Sequence, residues 1–311
     1  MAHRASHDRE TGWRWGCPPP FGILDGGKGE TGQMAQRKKV LALDIDGTLT
    51  NSRKEITPAT KARLFQAMEE GHRVVLASGR PTPGMNRCRQ ELELDRFGGY
   101  LLSFNGARVV ECATGEVVWQ KTLPLSLLPE LYEFAKTEGC GLATHNSERV
   151  ISAFPPDEYV ALEARMNGMP LEQVGDFVGF VDFPVCKCFM TQDPDRAAVL
   201  VQKLQEKMGD KAAIYRSDPF FIEIVAQNVD KAASLEGLLK RLGAGWEDTV
   251  CCGDGFNDIS MIKCAGVGVA MGNAQTPVKE AADYVAGTCD QDGLVEVIDR
   301  FVLSGMAGSS V

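Results

Sequence analysis

Short apolar runs recur along the chain, and several of them end directly in polar residues. The first run, Val40–Leu43, passes at once into Asp44-Ile45-Asp46. A continuous apolar run of this length is typical of a strand that is buried on both faces. Further runs at Arg73–Ala77, Tyr100–Phe104 and Thr249–Cys252 predict three more strands of this kind.

Helical patterns alternate with these runs. Thr57-Pro58 begins a segment with apolar residues at helical spacing, and Gly71 ends it. A second helical segment begins at Asp230 and stops at Gly243. Since a strand, a helix and a strand at this spacing form a parallel crossover, the expected fold class is α/β with a doubly wound parallel sheet. Further strands of this sheet are predicted at Arg108–Val110, Val117–Trp119, Val267–Ala270 and Tyr284–Val285.

The pattern changes between about Leu123 and Val225. Short alternating strands, with helices near residues 129–138 and 195–208, predict a self-contained α+β insertion. We therefore expect a catalytic core over residues 37–121 and 228–311, with a cap domain over residues 122–227. Residues 1–36 show no apolar period and are rich in Gly, Pro and charge, which predicts a disordered tail.

Composition narrows the class of protein. Of the 311 residues, 44% are hydrophobic and 24% are charged, which is typical of a globular protein. The net charge of −9 disfavours nucleic acid or an anionic membrane as a partner. No apolar run approaches the ~18 residues of a membrane span, and no secretory signal is evident, so we expect a soluble, cytoplasmic protein.

Several cysteines lie in apolar runs, which favours reduced, packed side chains: Cys186, Cys188, Cys251, Cys252 and Cys264.

Polar clusters follow the predicted strands and should meet at one edge of the sheet. Asp44 and Asp46 follow the first strand, and Asp254 and Asp258 follow the strand at Thr249–Cys252. The carboxyl ends of parallel strands form the ligand crevice of such a sheet. Four carboxylates there require a cation, and oxygen ligands without His or Cys point to Mg²⁺.

The same crevice should hold donors for a phosphate group. Ser78 offers a hydroxyl, Gly79 an amide and Lys231 an ammonium. A carboxylate can attack phosphorus, and a second one two residues away can transfer protons. Asp44 and Asp46 have the spacing for these two tasks.

As an ordered set, these motifs resemble those of the haloacid dehalogenase-like (HAD) phosphohydrolase superfamily. The resemblance covers about residues 38–303, and the long insertion is similar to the cap of the Cof-like, type IIB branch. The motifs are Asp44-Ile45-Asp46-Gly47-Thr48-Leu49, Ser78-Gly79-Arg80, Lys231 and Gly253-Asp254-Gly255-Phe256-Asn257-Asp258.

The resemblance implies a role for each matching residue. Asp44 matches the nucleophile and a metal ligand, and Asp46 matches the general acid/base, whose backbone carbonyl also binds the metal. Ser78 and Lys231 match phosphate-holding positions that also serve catalysis. The remaining matches are Asp254 and Asp258 as metal ligands and Asn257 as a polar residue facing the phosphate.

Other residues have less specific interpretations. Arg80 is expected to contact substrate or to form a salt bridge, and Asn105 to face the phosphate or to close a turn. In the cap, His145, Arg149 and Lys187 are interpreted as structural or solvated rather than as site residues.

The expected activity is magnesium-dependent hydrolysis of a small phosphomonoester through an aspartyl-phosphate on Asp44. The substrate would be a phosphorylated metabolite, such as a sugar phosphate, pyridoxal phosphate or flavin mononucleotide. Two alternatives stay open: a phosphomutase that transfers the phosphoryl group between sugar positions, and a non-catalytic module that binds phosphorylated metabolites.

Overall fold

The computed structural model describes residues 38–303. The apolar runs that end in polar residues form a central sheet of eight strands. Its strands are β1 (Val40–Leu43), β2 (Arg73–Ala77), β3 (Tyr100–Ser103), β4 (Arg108–Glu111), β5 (Val117–Gln120), β12 (Thr249–Gly253), β13 (Val267–Ala270) and β14 (Tyr284–Val285). Their spatial order is β14-β13-β12-β1-β2-β3-β4-β5. The strands from β14 to β3 are parallel, and β4 and β5 form an antiparallel hairpin at one edge.

Helices cover both faces of this central sheet. They are α1 (Pro58–Glu69), α2 (Asn86–Glu91), α3 (Leu94–Phe97), α8 (Lys231–Leu242), α9 (Ile259–Cys264), α10 (Thr276–Glu280) and α11 (Gly293–Phe301). Leu41 and Leu43 of β1 pack in one core with residues of α1 and α11. Val40 and Ala42 pack in another with residues of α8. Because successive side chains of a strand point to opposite faces, β1 is buried on both, as its unbroken apolar sequence predicts.

A second sheet lies in the insertion between β5 and α8. Its strands are β6 (Gly141–His145), β7 (Val150–Ser152), β8 (Leu171–Gln173), β9 (Lys187–Thr191), β10 (Ala213–Asp218) and β11 (Phe221–Val225), in the order β10-β11-β9-β6-β7-β8. Its helices are α4 (Leu128–Glu138), α5 (Glu158–Met166), α6 (Phe177–Phe180) and α7 (Pro194–Met208). Leu142, Met190 and Ile224 from one face of this sheet pack against Leu131 of α4 and Leu200 of α7. Because successive side chains of a strand point to opposite faces, the apolar residues at every second position lie together on this face.

The doubly wound core with an α+β insertion confirms the predicted fold class. Some elements were not predicted: the short helices α2, α3 and α6, the helices α5 and α11, and the three-residue strand β8. Asp157 caps α5 by accepting hydrogen bonds from the amides of Tyr159 and Val160. The boundaries between core and cap stay predictions, and the predicted tail over residues 1–36 lies outside the described residues.

Two further findings concern the predictions about membrane spans and cysteines. Between residues 38 and 303, no helix combines the length and the apolar character that crossing a bilayer requires. In the same range eight cysteines are free, and all of these except Cys289 are buried.

Candidate active site

The carboxyl ends of β1, β2 and β12 meet at one cavity of about 620 Å³. Leu43 of β1 pairs with Leu76 of β2 on one side and with Cys252 of β12 on the other. The residues that follow these strands are therefore neighbours. The predicted site residues that line the cavity are Asp44, Asp46, Ser78, Gly79, Arg80, Asn105, Asp254, Asn257 and Asp258.

Lys231, the remaining predicted site residue, lies buried beneath the cavity. Its Nζ donates to Asp44 Oδ1 at 2.7 Å, to Asp258 Oδ1 at 2.6 Å and to the carbonyl oxygen of Ala77 at 2.8 Å. Its relative exposure is 0%. Lys231 is the first residue of α8, where a helix dipole disfavours a positive charge. The two carboxylates offset that cost.

Burial and neighbouring charges shift the pKa values of this group. Burial, joined by the charges of Asp258 and Asp254, raises the pKa of Asp44 to about 7 against the opposing attraction of Lys231. Burial alone would lower the pKa of Lys231, but Asp258 and Asp44 raise it above its ordinary value. Lys231 is therefore charged at neutral pH.

The loop after β12 holds Asp254 and Asp258 in fixed positions. Asp258 Oδ2 accepts from the amides of Asp254 at 3.0 Å and Gly255 at 2.9 Å. Thr48 donates to Asp254 Oδ1, and Asn273 donates to Asp254 Oδ2, each at 3.2 Å. These contacts orient the Asp254 carboxylate toward the cavity. Thr48 and Asn273 were not predicted as site residues.

A glycine lets the loop after β1 approach Asp254. Gly47 has a φ of +86°, and a Cβ atom there would lie 2.4 Å from Asp254 Oδ2. A larger residue would combine backbone strain with a steric clash. Gly47 is thus required for the close approach of the two acidic loops.

The acidic residues fit a hard divalent cation. Oxygens of Asp44, Asp254 and Asp258 lie within 4.8 Å of one another. Carboxylate oxygens are the ligands that Mg²⁺ prefers. The side chain of Asp46, the fourth predicted metal residue, is turned to other partners, so that only its backbone could take part.

The side chain of Asp46 is bonded to two cations, Arg80 and Lys54. Arg80 binds Asp46 in a bidentate pair, with Nε to Oδ2 and Nη2 to Oδ1 both at 2.7 Å, and Lys54 Nζ donates to Oδ1 at 2.9 Å. Burial opposes the charge of Asp46, but the bonds from Arg80 and Lys54 lower its pKa below the ordinary value. Asp46 is thus an ionised carboxylate here. To act as an acid it must first loosen these bonds and take up a proton.

Arg80 accordingly follows the salt-bridge interpretation. Its third contact is from Nη1 to the carbonyl of Gly84 at 3.2 Å. Although Arg80 lines the cavity, its guanidinium faces Asp46 and Gly84 in this arrangement. Contact with the phosphate stays a prediction for this residue.

Polar side chains from three loops also line the cavity. Ser78 is buried, and its Oγ accepts from the amide of Arg80 at 3.3 Å. Asn257 Nδ2 donates to Asn105 Oδ1 at 2.9 Å, and Asn105 Nδ2 donates to Tyr215 Oη at 3.4 Å. Asn105 adopts a left-handed φ of 54°, which an asparagine tolerates. Asn105 therefore joins the core loops to the cap.

The cap also contributes cavity residues that the sequence interpretation missed. Glu163, Lys187 and Glu223 all line the cavity. The interpretation of Lys187 as merely structural is incomplete, because this side chain reaches the cavity. Arg149, in contrast, pairs with Glu148 and Glu172. Asp218, Met166, Asn167, Ser217 and Phe221 also line the cavity. The sequence held one sign of this contribution from the cap: Glu223 is an acidic residue between two isoleucines of a predicted strand.

Paired carboxylates and a buried lysine at the carboxyl edge of a parallel sheet, beside donors suited to phosphate, define an enzyme of phosphoryl chemistry. The model of the haloacid dehalogenase-like hydrolases matches residues 41–298. The chain belongs to this family. It is a HAD-type phosphatase of the Cof-like branch, as the motifs predicted.

Related proteins match about 85% of this chain and nearly their own full length. The Bacillus subtilis protein YxeH is 32% identical over 274 residues, covering 86% of this chain and 99% of YxeH. YcsE of the same organism, a 5-amino-6-(5-phospho-D-ribitylamino)uracil phosphatase, is 29% identical and covers 85% of this chain and 96% of YcsE. A haloacid dehalogenase-like hydrolase from Bacteroides thetaiotaomicron shares 42% identity and a TM-score of 0.82, covering 85% of this chain and 99% of that structure.

Proposed function

We propose that the protein hydrolyses small phosphomonoesters in a magnesium-dependent reaction with a covalent aspartyl-phosphate on Asp44. The observation that carries this proposal is the position of Asp44, whose carboxylate lines the cavity and is held from below by the buried Lys231. A carboxylate fixed in this way is oriented for attack on phosphorus.

In the proposed reaction, Asp44 is the nucleophile and Asp46 is the general acid and base. An oxygen of Asp44 attacks phosphorus, and the bond from phosphorus to the leaving oxygen breaks. Asp46, once protonated, gives its proton to that oxygen, and an alcohol leaves. Asp46 then takes a proton from water, whose oxygen attacks the aspartyl-phosphate and frees Asp44 and inorganic phosphate.

The remaining polar residues would stabilise the phosphoryl group. The hydroxyl of Ser78 and the amide of Gly79 would supply hydrogen bonds for its oxygens, and the buried ammonium of Lys231 would supply positive charge from below. Asn105 and Asn257 line the same cavity and add amide donors. These donors recognise the phosphate, which every phosphomonoester has in common.

Asp44, Asp254 and the backbone carbonyl of Asp46 would hold Mg²⁺, with Asp258 close by. The ion would supply positive charge to the phosphoryl oxygens. The site without an ion contains three carboxyl groups and one ammonium, which favours a divalent cation electrostatically.

The substrate we propose is a sugar phosphate or a similar small metabolite. The cavity of about 620 Å³ is large enough for such a molecule. YcsE, the relative described above, acts on a compound that carries a phosphorylated sugar alcohol.

The experiment that tests this function is phosphate release from a panel of phosphomonoesters, with and without Mg²⁺. We expect release that requires the ion and falls by at least ~10³-fold in Asp44→Asn. Asp182→Asn, which changes an exposed aspartate outside the cavity, should leave the rate unchanged.

Two outcomes would contradict the proposal. If sugar phosphates are isomerised without release of phosphate, the protein is a phosphomutase. If the panel members bind but none reacts, the protein is a binding module.

A further inference from the structure

One face of the cap sheet is apolar, and the other holds polar groups beside a second apolar cluster that includes Phe189, Phe221 and Val160 of α5. The apolar face lies under α4 and α7, as described above. On the other face, the strand register brings together residues of four neighbouring strands. Tyr215 pairs with Glu223, Glu223 pairs with Phe189, and Lys187 lies two residues from Phe189 on the same face. His145 of β6 shares this face with Lys187.

Hydrogen bonds link these side chains into one buried cluster. Lys187 Nζ donates to Glu223 Oε1 at 2.9 Å and lies 3.6 Å from Glu163 Oε1. Tyr215 Oη donates to Glu223 Oε2 at 3.2 Å. The ring of His145 contacts Glu163 Oε1 through Nε2 at 3.0 Å. The cluster is therefore fixed before any ligand arrives.

This cluster carries excess negative charge. Burial opposes the charge of Glu163, but Lys187 and His145 lower its pKa to about 2, so that it is ionised. Burial lowers the pKa of His145, and among the described residues its Nδ1 has no hydrogen-bond partner. A neutral ring that donates through Nε2 explains both findings. Lys187 is then one cation for two carboxylates.

We call Glu163, Lys187, Asp218 and Glu223 the cap wall. They are the charged residues that the cap contributes to the cavity lining. On the opposite side of the cavity, the cations Arg80 and Lys54 are both bonded to Asp46. A substrate whose phosphate meets the core would thus present its leaving group to a wall with three carboxyl groups and one ammonium.

We propose that the cap wall selects the leaving group by charge, accepting the hydroxyl groups of a neutral sugar or polyol and rejecting a second anionic group. This inference rests on the proposed function. Carboxylates are hydrogen-bond acceptors and bind hydroxyl donors well. A second carboxylate or phosphate on the substrate would instead be repelled. The same repulsion disfavours the sugar bisphosphate that a phosphomutase would have to hold.

A matched pair of substrates tests this selection. Glucitol 6-phosphate and 6-phosphogluconate differ at carbon 1, where one has a hydroxymethyl group and the other a carboxylate. We expect kcat/KM of the wild type to favour glucitol 6-phosphate by about tenfold or more. In Glu223→Gln the preference should shrink several-fold, because the amide keeps the shape of the side chain and removes its charge.

Control measurements distinguish a failure of the charge selection from a failure of the proposed function. Glu148→Gln removes a cap carboxylate that is 71% exposed and does not line the cavity, and it should keep the wild-type preference. Equal kcat/KM for the two substrates in the wild type would overturn the charge selection, and so would an unchanged preference in a folded Glu223→Gln protein. Turnover of p-nitrophenyl phosphate but of neither sugar compound would also overturn it. If no phosphomonoester is hydrolysed, the proposed function itself fails.

Discussion

Lys231 is a fully buried cation placed between two carboxylates. Removing a lysine from water is costly, and only close partners can offset that cost. Asp44 and Asp258 provide them at 2.7 and 2.6 Å. The same contacts hold the proposed nucleophile in one orientation. This single residue therefore serves both the stability and the proposed chemistry of the site.

Replacing Lys231 by methionine should show both contributions. Two buried carboxyl groups would then lie side by side without a cation, so we expect the free energy of unfolding to fall by about 3–5 kcal/mol in the absence of metal. Phosphate release should fall by at least ~10²-fold, because a positive charge at the phosphoryl group is lost. Urea unfolding in EDTA measures the first effect, and the panel assay measures the second.

The double variant Lys231→Met, Asp258→Asn is the matched control. It also lacks the ammonium but removes one of the uncompensated charges, so that part of the stability should return. An equal loss in the single and double variants would mean that lost packing, not unpaired charge, destabilises the protein.

At the scale of elements, the start of α8 sets the position of Lys231. Asp230 precedes the helix, and its side chain accepts from the amide of Ala233 at 2.9 Å. This cap satisfies a free amide of the first turn and places a negative charge at the positive end of the helix dipole. The cap therefore fixes the start of α8, and with it the position of the Lys231 backbone next to the site.

Asp230→Ala should therefore affect activity more than an equivalent change elsewhere. The lost cap should cost about 1 kcal/mol of stability and, because Lys231 is the next residue, should also lower kcat. Asp193 caps α7 of the cap domain by accepting from the amide of Arg196 at 3.1 Å. Asp193→Ala should cost similar stability and leave kcat unchanged. Equal effects of the two substitutions on kcat would show that the cap of α8 does not position Lys231.

At the scale of the whole molecule, the central sheet was easier to predict than the site as a whole. Unbroken apolar strands such as β1 identify a parallel sheet, and its carboxyl edge is known once the strand order is guessed. Asp44 and Asp254 could thus be placed together, although they are 210 positions apart in the sequence.

The contacts of the cap could not be predicted in the same way. Glu223 meets Lys187 because β9 and β11 are paired in one particular antiparallel register. A shift of one residue would turn Glu223 to the apolar face, and no local pattern specifies the register between strands separated by a helix. The bond from Arg80 to Asp46 likewise depends on side-chain rotamers, which the motifs do not encode.

The proposed metal site couples chemistry to the stability of the folded chain. Its acidic residues follow β1 and β12, which are neighbours only in the folded sheet. An ion that binds there binds the native state and stabilises it, by about 2.7 kcal/mol at a concentration ~100 times its Kd. We expect saturating Mg²⁺ to raise the calorimetric unfolding temperature of the wild type above its value in EDTA. Asp254→Asn should abolish this rise, whereas Glu148→Gln should retain it. An equal rise in Asp254→Asn would mean that the ion stabilises the protein from another place.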